Sequence, residues 1–146
     1  MKNFLAFVLF SFLITSCGSK KPVILSSTSN PTESSGLYEP FVDINSYSAN
    51  KNYAIDSKYP AMTGERSSLN QRRYLASLAG PNGEELSFHR VGSCCGYESE
   101  NGLGGVALVD VYEVTYEGLK EPVLIYISFY DSEELFIPKG FTKRKL

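Results

Sequence analysis

Tryptophan is absent from the 146 residues, and histidine, methionine and cysteine are scarce, at one, two and three copies. No charge of one sign dominates. Lys plus Arg is 14 against 16 Asp plus Glu, a formal charge of -2. A nucleic-acid binder would show a basic stripe, and none is visible. No apolar run is long enough to cross a bilayer. The longest, Phe4 to Ile14, is broken by Ser11 and would reach only ~16 Å as a helix, about half of a hydrocarbon core. Length excludes a (β/α)8 barrel, which takes ~250 residues, and no internal repeat marks a solenoid. What remains is 42% hydrophobic and 21% charged, ordinary composition for one globular domain. The aromatics are ten Tyr and nine Phe, a bias toward strands.

The N-terminus reads as an address. Met1-Lys2-Asn3 is a short basic region ahead of the apolar run, the layout of a secretory signal peptide. Leu13-Ile14-Thr15-Ser16-Cys17 follows. An aliphatic residue three places before a cysteine, with small residues ending on it, resembles the lipobox of bacterial lipoproteins. The resemblance implies cleavage before Cys17, lipidation of its sulfur and acylation of the new N-terminus. Several acyl chains at ~0.8 kcal/mol per buried CH2 hold a protein on a bilayer. Gly18 after the cysteine points, by analogy with enteric sorting, to the outer membrane. The expected organisation is therefore a lipoprotein signal peptide over 1–16, a lipidated Cys17 and Ser-rich tether over 17–40, and a globular domain over 41–146.

Within the domain, Phe41–Asn45 reads as a short strand and Lys51–Met62 as an aromatic-rich loop. Ser68 and Gln71 have capping-box spacing, and Tyr74, Leu75 and Leu78 share one helical face, with Arg72 and Arg73 off it. Gly80-Pro81 is expected to close that helix. The period then becomes two: Leu86 and Phe88 face one way, Ser87 and His89 the other. Val106–Glu117 is the clearest strand, with Asp110 interrupting its apolar face. Val123–Tyr130 is apolar on both faces, as in a strand covered on both sides. After a turn at 131–134, Leu135–Ile137 reads as strand. The fold class is α+β: one helix packed on a three- to five-stranded antiparallel meander.

Four blocks carry a wider resemblance. They are Arg72-Arg73-Tyr74-Leu75 through Leu78-Ala79-Gly80-Pro81-Asn82-Gly83, Arg90-Val91-Gly92-Ser93-Cys94-Cys95, Asp110 to Leu119, and Ile137-Pro138-Lys139-Gly140-Phe141-Thr142. Over about 45–142 the chain resembles a family of small uncharacterised bacterial lipoproteins of the Bacteroidota type. Where that family continues Cys-Cys-Pro-Phe, this chain has Cys94-Cys95-Gly96-Tyr97. The label 2-dehydro-3-deoxyphosphooctonate aldolase, sometimes attached to the family, implies a cytoplasmic barrel on a phosphorylated substrate. The length and the export signal argue against it here. The resemblance thus implies a compartment and a fold rather than an activity.

The chemistry-bearing residues are few. Cys94 and Cys95 are adjacent, with Cα atoms ~3.8 Å apart, below the usual disulfide range. A vicinal bridge acting as redox switch or rigid turn, two free thiols, and an intermolecular bridge all stay open. His89 with either thiol would make the first two members of a cysteine-hydrolase set, but no third residue orients it, and a solvent-facing strand histidine is the plainer reading. Zinc fits badly, because adjacent cysteines are poor co-ligands and no Cys-x-x-Cys is present. Asp110, if buried, needs a partner, which Arg72, Arg73 or Arg90 would supply. Glu98 and Glu100 lack the spacing of a calcium loop, and Gly102-Leu103-Gly104-Gly105 lacks the Lys-Ser/Thr of a phosphate loop. Tyr47, Tyr53, Tyr59, Tyr97, Tyr126 and Tyr130 offer contact area suited to protein or glycan surfaces.

The sequence therefore points to a lipid-anchored envelope protein without cofactor, metal or nucleic-acid partner. Its domain is expected to bind an envelope protein or a cell-wall component, with a polar network of Arg72, Arg73, His89, Arg90 and Asp110 as the candidate surface. The alternative is a thiol-dependent enzyme or redox protein using Cys94, Cys95 and His89.

Overall fold

The computed structural model describes residues 30–146; the stretch expected to be signal peptide and lipobox, Cys17 included, lies outside them. Strands are β1 (Glu33–Ser34), β2 (Ala61–Met62), β3 (Leu78–Ala79), β4 (Ser87–Leu103), β5 (Val106–Thr115), β6 (Val123–Ser128) and β7 (Thr142–Lys143), with one helix, α1 (Ser68–Ala76). The main sheet runs β1-β4-β5-β6-β2, and β3 and β7 pair separately. The chain is α+β as its patterning predicts, and β4-β5-β6 is the antiparallel meander at its centre. The sheet is nonetheless mixed, because β2 lies parallel to β6.

Alternation along β5 builds two cores. Tyr112 and Val114 point toward α1 and join Tyr74, Leu75, Phe88, Ile125 and Ile127 in the larger cluster. Val109 and Val111 point the opposite way and pack with Cys94 and Tyr126. The two faces of β6 divide the same way, Ile125 and Ile127 against Tyr126, so the doubly apolar run does mark a strand covered on both sides. β4 is too long to follow β5 without adjustment. Its register shifts between Arg90 and Gly92, between Cys94 and Tyr97, and between Glu98 and Leu103; such bulges re-aim side chains and increase local twist. The hairpin turns at Gly104 and Gly105, with φ of 63° and 82°. Gly102 serves a different purpose, since a Cβ there would lie 2.1 Å from the Val106 carbonyl carbon.

Several local expectations fail, each for a visible reason. Ser68 does not cap the helix. Ser67 is the cap residue and makes no side-chain cap bond, while Gln71 turns inward. The helix ends at Ala76, where Ser77 Oγ donates to the Arg73 carbonyl at 2.7 Å; Leu78 and Ala79 are then taken by β7 as strand. Gly80 is not left-handed; Gly83, at φ 94°, makes the turn. Neither Phe41–Asn45 nor Leu135–Ile137 forms a strand, although Ile137 bridges Tyr47.

The domain also begins before residue 41. Glu33 and Ser34 pair with Phe88 and Ser87, and the Ser35 N–H donates to the Leu86 carbonyl at 2.8 Å. Arg144 Nη1 donates to the Ser35 carbonyl at 2.9 Å, closing the clamp from the far end of the chain. The Ser-rich composition of this stretch conceals a backbone that completes the β4 edge.

Candidate functional site

Asp110 lies on the α1-facing side of β5 beside Tyr112, and only 5% of it is exposed. A buried carboxylate needs hydrogen-bond donors on both oxygens. Oδ1 accepts from Arg90 Nη2 at 2.7 Å and from Ser93 Oγ at 2.6 Å. Oδ2 accepts from Gln71 Nε2 at 2.8 Å. The Gln71 carbonyl oxygen in turn accepts from the Tyr112 hydroxyl at 2.9 Å, which orients the amide. Burial pushes the Tyr112 phenol well above its usual range, so it remains a donor at any physiological pH. The result is a closed network in which α1, β4 and β5 each contribute at least one member.

Ser93 reaches this network because of the irregularity in β4. It sits opposite Asp110 in the register, beyond the shift that follows Arg90. The guanidinium of Arg90 bridges the same gap by donating to Ser93 as well. Of the three arginines considered from sequence, Arg90 alone pairs with Asp110, through a single nitrogen rather than a two-pronged fork. Arg72 instead pairs with Glu33 through Nε at 2.9 Å, while its Nη1 donates to the Ser68 carbonyl. Burial would raise the Glu33 carboxyl, but the bonds from Arg72 and Tyr38 outweigh it and hold the group below its ordinary value. Arg73 turns to another side, its guanidinium 4.2 Å from the centre of the Phe41 ring, and is not part of the site.

This network forms one wall of a cavity of about 400 Å³, a size within the range for small-ligand sites. Arg72, Arg90 and Ser93 line it, together with Leu108, Phe129 and Tyr130. The last two rings stack on each other, 4.7 Å between centres. Other hollows are larger but differently made. One of about 600 Å³ runs along Pro81, Asn82, Gly83, Glu84 and Glu85 and residues 142–145, and one of about 590 Å³ lies beside Ile55, Tyr116, Leu124 and Phe141. Neither is backed by a buried polar network.

Cys94 and Cys95 are joined by a disulfide, their Cα atoms 3.7 Å apart. Of the readings left open, the vicinal bridge is the one found. Cys94 is fully buried, and Cys95 takes a left-handed φ of 52°. Cys95, Gly96 and Tyr97 border a further hollow of about 470 Å³ with Pro60 and Met62. His89 is not brought to a thiol. It sits opposite Glu113 in the β4–β5 register, and both sulfurs are used by each other. Among the described residues no three His, Cys, Asp or Glu side chains cluster in a way that would hold a metal ion.

The tyrosines divide. Tyr47 and Tyr59 are exposed, whereas Tyr53 and Tyr126 belong to the cores. Tyr97 shares a hydrogen bond with Ser128 at 2.9 Å, and burial pushes its phenol up to about 12.

Four members of the site escape the sequence reading: Gln71, Ser93, Tyr112 and Phe129. For Gln71 a signal exists. Positions 71, 74, 75 and 78 have the i, i+3, i+4, i+7 spacing of one helical face, so a glutamine among Tyr74, Leu75 and Leu78 marks a buried amide seeking a partner. No family model, curated protein or solved structure matches the chain.

Proposed function

We propose that the chain is a lipid-anchored protein of the bacterial cell envelope, held at the outer membrane through Cys17, and that its domain is a non-enzymatic binding module for another envelope protein or a cell-wall component. The lipobox pattern at Leu13–Cys17 and the resemblance to small bacterial lipoproteins support the anchor. One observation carries the binding reading. Among the described residues, Asp110 is the only carboxylate lining the pocket, and both its oxygens are filled by Arg90, Ser93 and Gln71, so it holds the wall in shape instead of standing ready as a base. Among the described residues that line it, no free base stands beside a nucleophile, and the cavity offers shape, N–H donors and aromatic surface.

Labelled palmitate and crosslinking in intact cells test the two halves. Wild type should incorporate label and crosslink to a defined neighbour, and Cys17→Ala should lose both. Unlabelled wild-type protein would defeat the anchor; a labelled protein that crosslinks to nothing would defeat the binding module.

The joined cysteines favour a second reading, a redox protein. Cys95 borders a hollow, and a dithiol reductant attacking there would open the bridge by thiolate exchange, leaving two thiols and an oxidised reductant. Alkylation of both cysteines without reductant would dismiss it.

A further inference from the structure

The cavity under α1 is unusual in what its walls have left to offer. Arg90 donates to Asp110 and Ser93 through Nη2 alone, so its Nε and Nη1 hydrogens have no partner among the described residues. Arg72 uses Nε on Glu33 and Nη1 on the Ser68 carbonyl, which leaves Nη2 in the same condition. Both side chains line the cavity. Each is also fixed by a carboxylate behind it, Asp110 for Arg90 and Glu33 for Arg72, so neither has to be ordered when a ligand arrives. The carboxylate and amide acceptors are already engaged: Asp110 and Gln71 are turned toward their protein partners, which leaves only the hydroxyls of the lining, themselves also donors. A site rich in unsatisfied N–H groups and poor in acceptors suits a ligand group that only accepts, and planar guanidinium matches a carboxylate best. Phe129 and Tyr130 add stacked aromatic surface in the same cavity, and flat rings of this kind pack against the apolar face of a sugar.

Resting on the binding-module reading, we propose that this cavity takes a small sugar acid, its carboxylate on the guanidinium groups of Arg90 and Arg72 and its ring against the Phe129–Tyr130 pair. The two protein carboxylates offset the two arginine charges, so recognition comes from directed N–H groups rather than from net positive charge. The volume of about 400 Å³ admits a monosaccharide and excludes a long glycan, which would have to present its acidic residue at an end or on a branch.

The test uses the full chain in detergent and two probes with the same ring, N-acetylmuramic acid, which carries a carboxylate, and N-acetylglucosamine, which does not. Calorimetric titration should show the acid binding at least about tenfold more tightly, the scale of one charge-assisted hydrogen bond. Arg72→Gln and Arg90→Lys should each remove about that factor for the acid and leave the neutral sugar unaffected; Tyr130→Ala should weaken both. Near-ultraviolet circular dichroism establishes that each variant is folded. If Arg90→Lys is not, Arg72→Gln, at the partly exposed pair, still decides. Equal affinity for the two sugars, no saturable binding of the acid, or unchanged affinity in Arg72→Gln overturns the proposal. Inorganic phosphate competing as well as the acid overturns the sugar part of it. A defined crosslinked neighbour in cells together with no sugar-acid binding would sink this inference alone and leave the binding module standing.

Discussion

The two faces of β5 are held by opposite means. Toward α1, Asp110 and Tyr112 are tied to Gln71, Arg90 and Ser93 by hydrogen bonds. Away from α1, Val109 and Val111 pack against Tyr126 and the buried half of a disulfide. Ser93 and Cys94 are neighbours in β4, yet one serves the first face and the other the second. A polar network fixes geometry because each member is wrong in any other place, whereas an apolar cluster tolerates shifts as long as volume is kept. The pocket lies on the side where geometry is fixed.

Breaking the polar face should therefore have the largest effect. Asp110→Ala frees the buried Gln71 amide and takes the carboxylate from Arg90, whose side chain is 32% exposed; removing one partner of a fully buried pair costs about 3–5 kcal/mol, so the loss here falls at the lower end of that range. Urea denaturation should show a lower midpoint at unchanged slope; a loss below about 1 kcal/mol would mean that water replaces the carboxylate. Gln71→Leu is the next step down. It keeps the Arg90–Asp110 pair but strands Asp110 Oδ2 and the Tyr112 hydroxyl, at about 1–3 kcal/mol for each group left unpaired. Sub-additivity of the double variant would establish that the two residues act as one unit.

The disulfide face should respond far less. A bridge between adjacent residues closes almost no chain, so in the loop-entropy account it restrains the unfolded state by only about 1 kcal/mol. Reduction with a dithiol, or Cys94→Ala with Cys95→Ala, should lower stability by no more than about that. The bridge thus contributes little as a staple, and its value is local: it fixes Cys95 at a backbone conformation rare for a residue with a Cβ. Loss of tertiary structure on reduction would reverse this ranking of the two faces.

How far the sequence spoke follows the same division. Period-two patterning located β5 and the start of β4, because alternation is imposed by the pleat itself, and a run apolar on both faces located β6; the rest of β4, out to Leu103, crosses a glycine-rich stretch that reads as loop. Asp110 stood out as a carboxylate on an apolar face, and the need for an arginine partner followed from burial alone. Which arginine could not follow, since the choice depends on the shift after Arg90 that carries Ser93 opposite Asp110, and bulges leave no periodic trace. The two-residue strands β1, β2, β3 and β7 were equally hidden. β1 and β2 pair with the outer edges of β4 and β6, while β3 and β7 pair with each other; the cause is tertiary in each case, and their residues carry no strand pattern of their own. The Ser-rich stretch before residue 41 misled for that reason: Glu33 is the carboxylate that holds Arg72, and composition averaged over the segment cannot single it out.

The Glu33–Arg72 pair joins this N-terminal clamp to the pocket, and the effect of breaking it should be the smallest and the most specific. Both side chains are partly exposed, at 14% and 26%, so solvent screens the attraction and the pair is worth less than about 1 kcal/mol. Its sign is nevertheless fixed. The Glu33 carboxyl lies below its ordinary value of 4.5 in the folded chain, so the folded state holds that proton less tightly than the unfolded one. The stabilisation is complete above pH 4.5 and is lost as pH falls through the lower folded value. Arg72→Ala should therefore weaken the protein slightly at pH 7 and leave the difference from wild type shrinking on acidification below pH 4.5. Stability curves measured from pH 7 to pH 3 in low salt should converge at the acid end, and added salt should narrow the gap at neutral pH. Parallel curves across that range would assign the cost of Arg72→Ala to its bond with the Ser68 carbonyl and to lost packing, and would detach the clamp from the pocket.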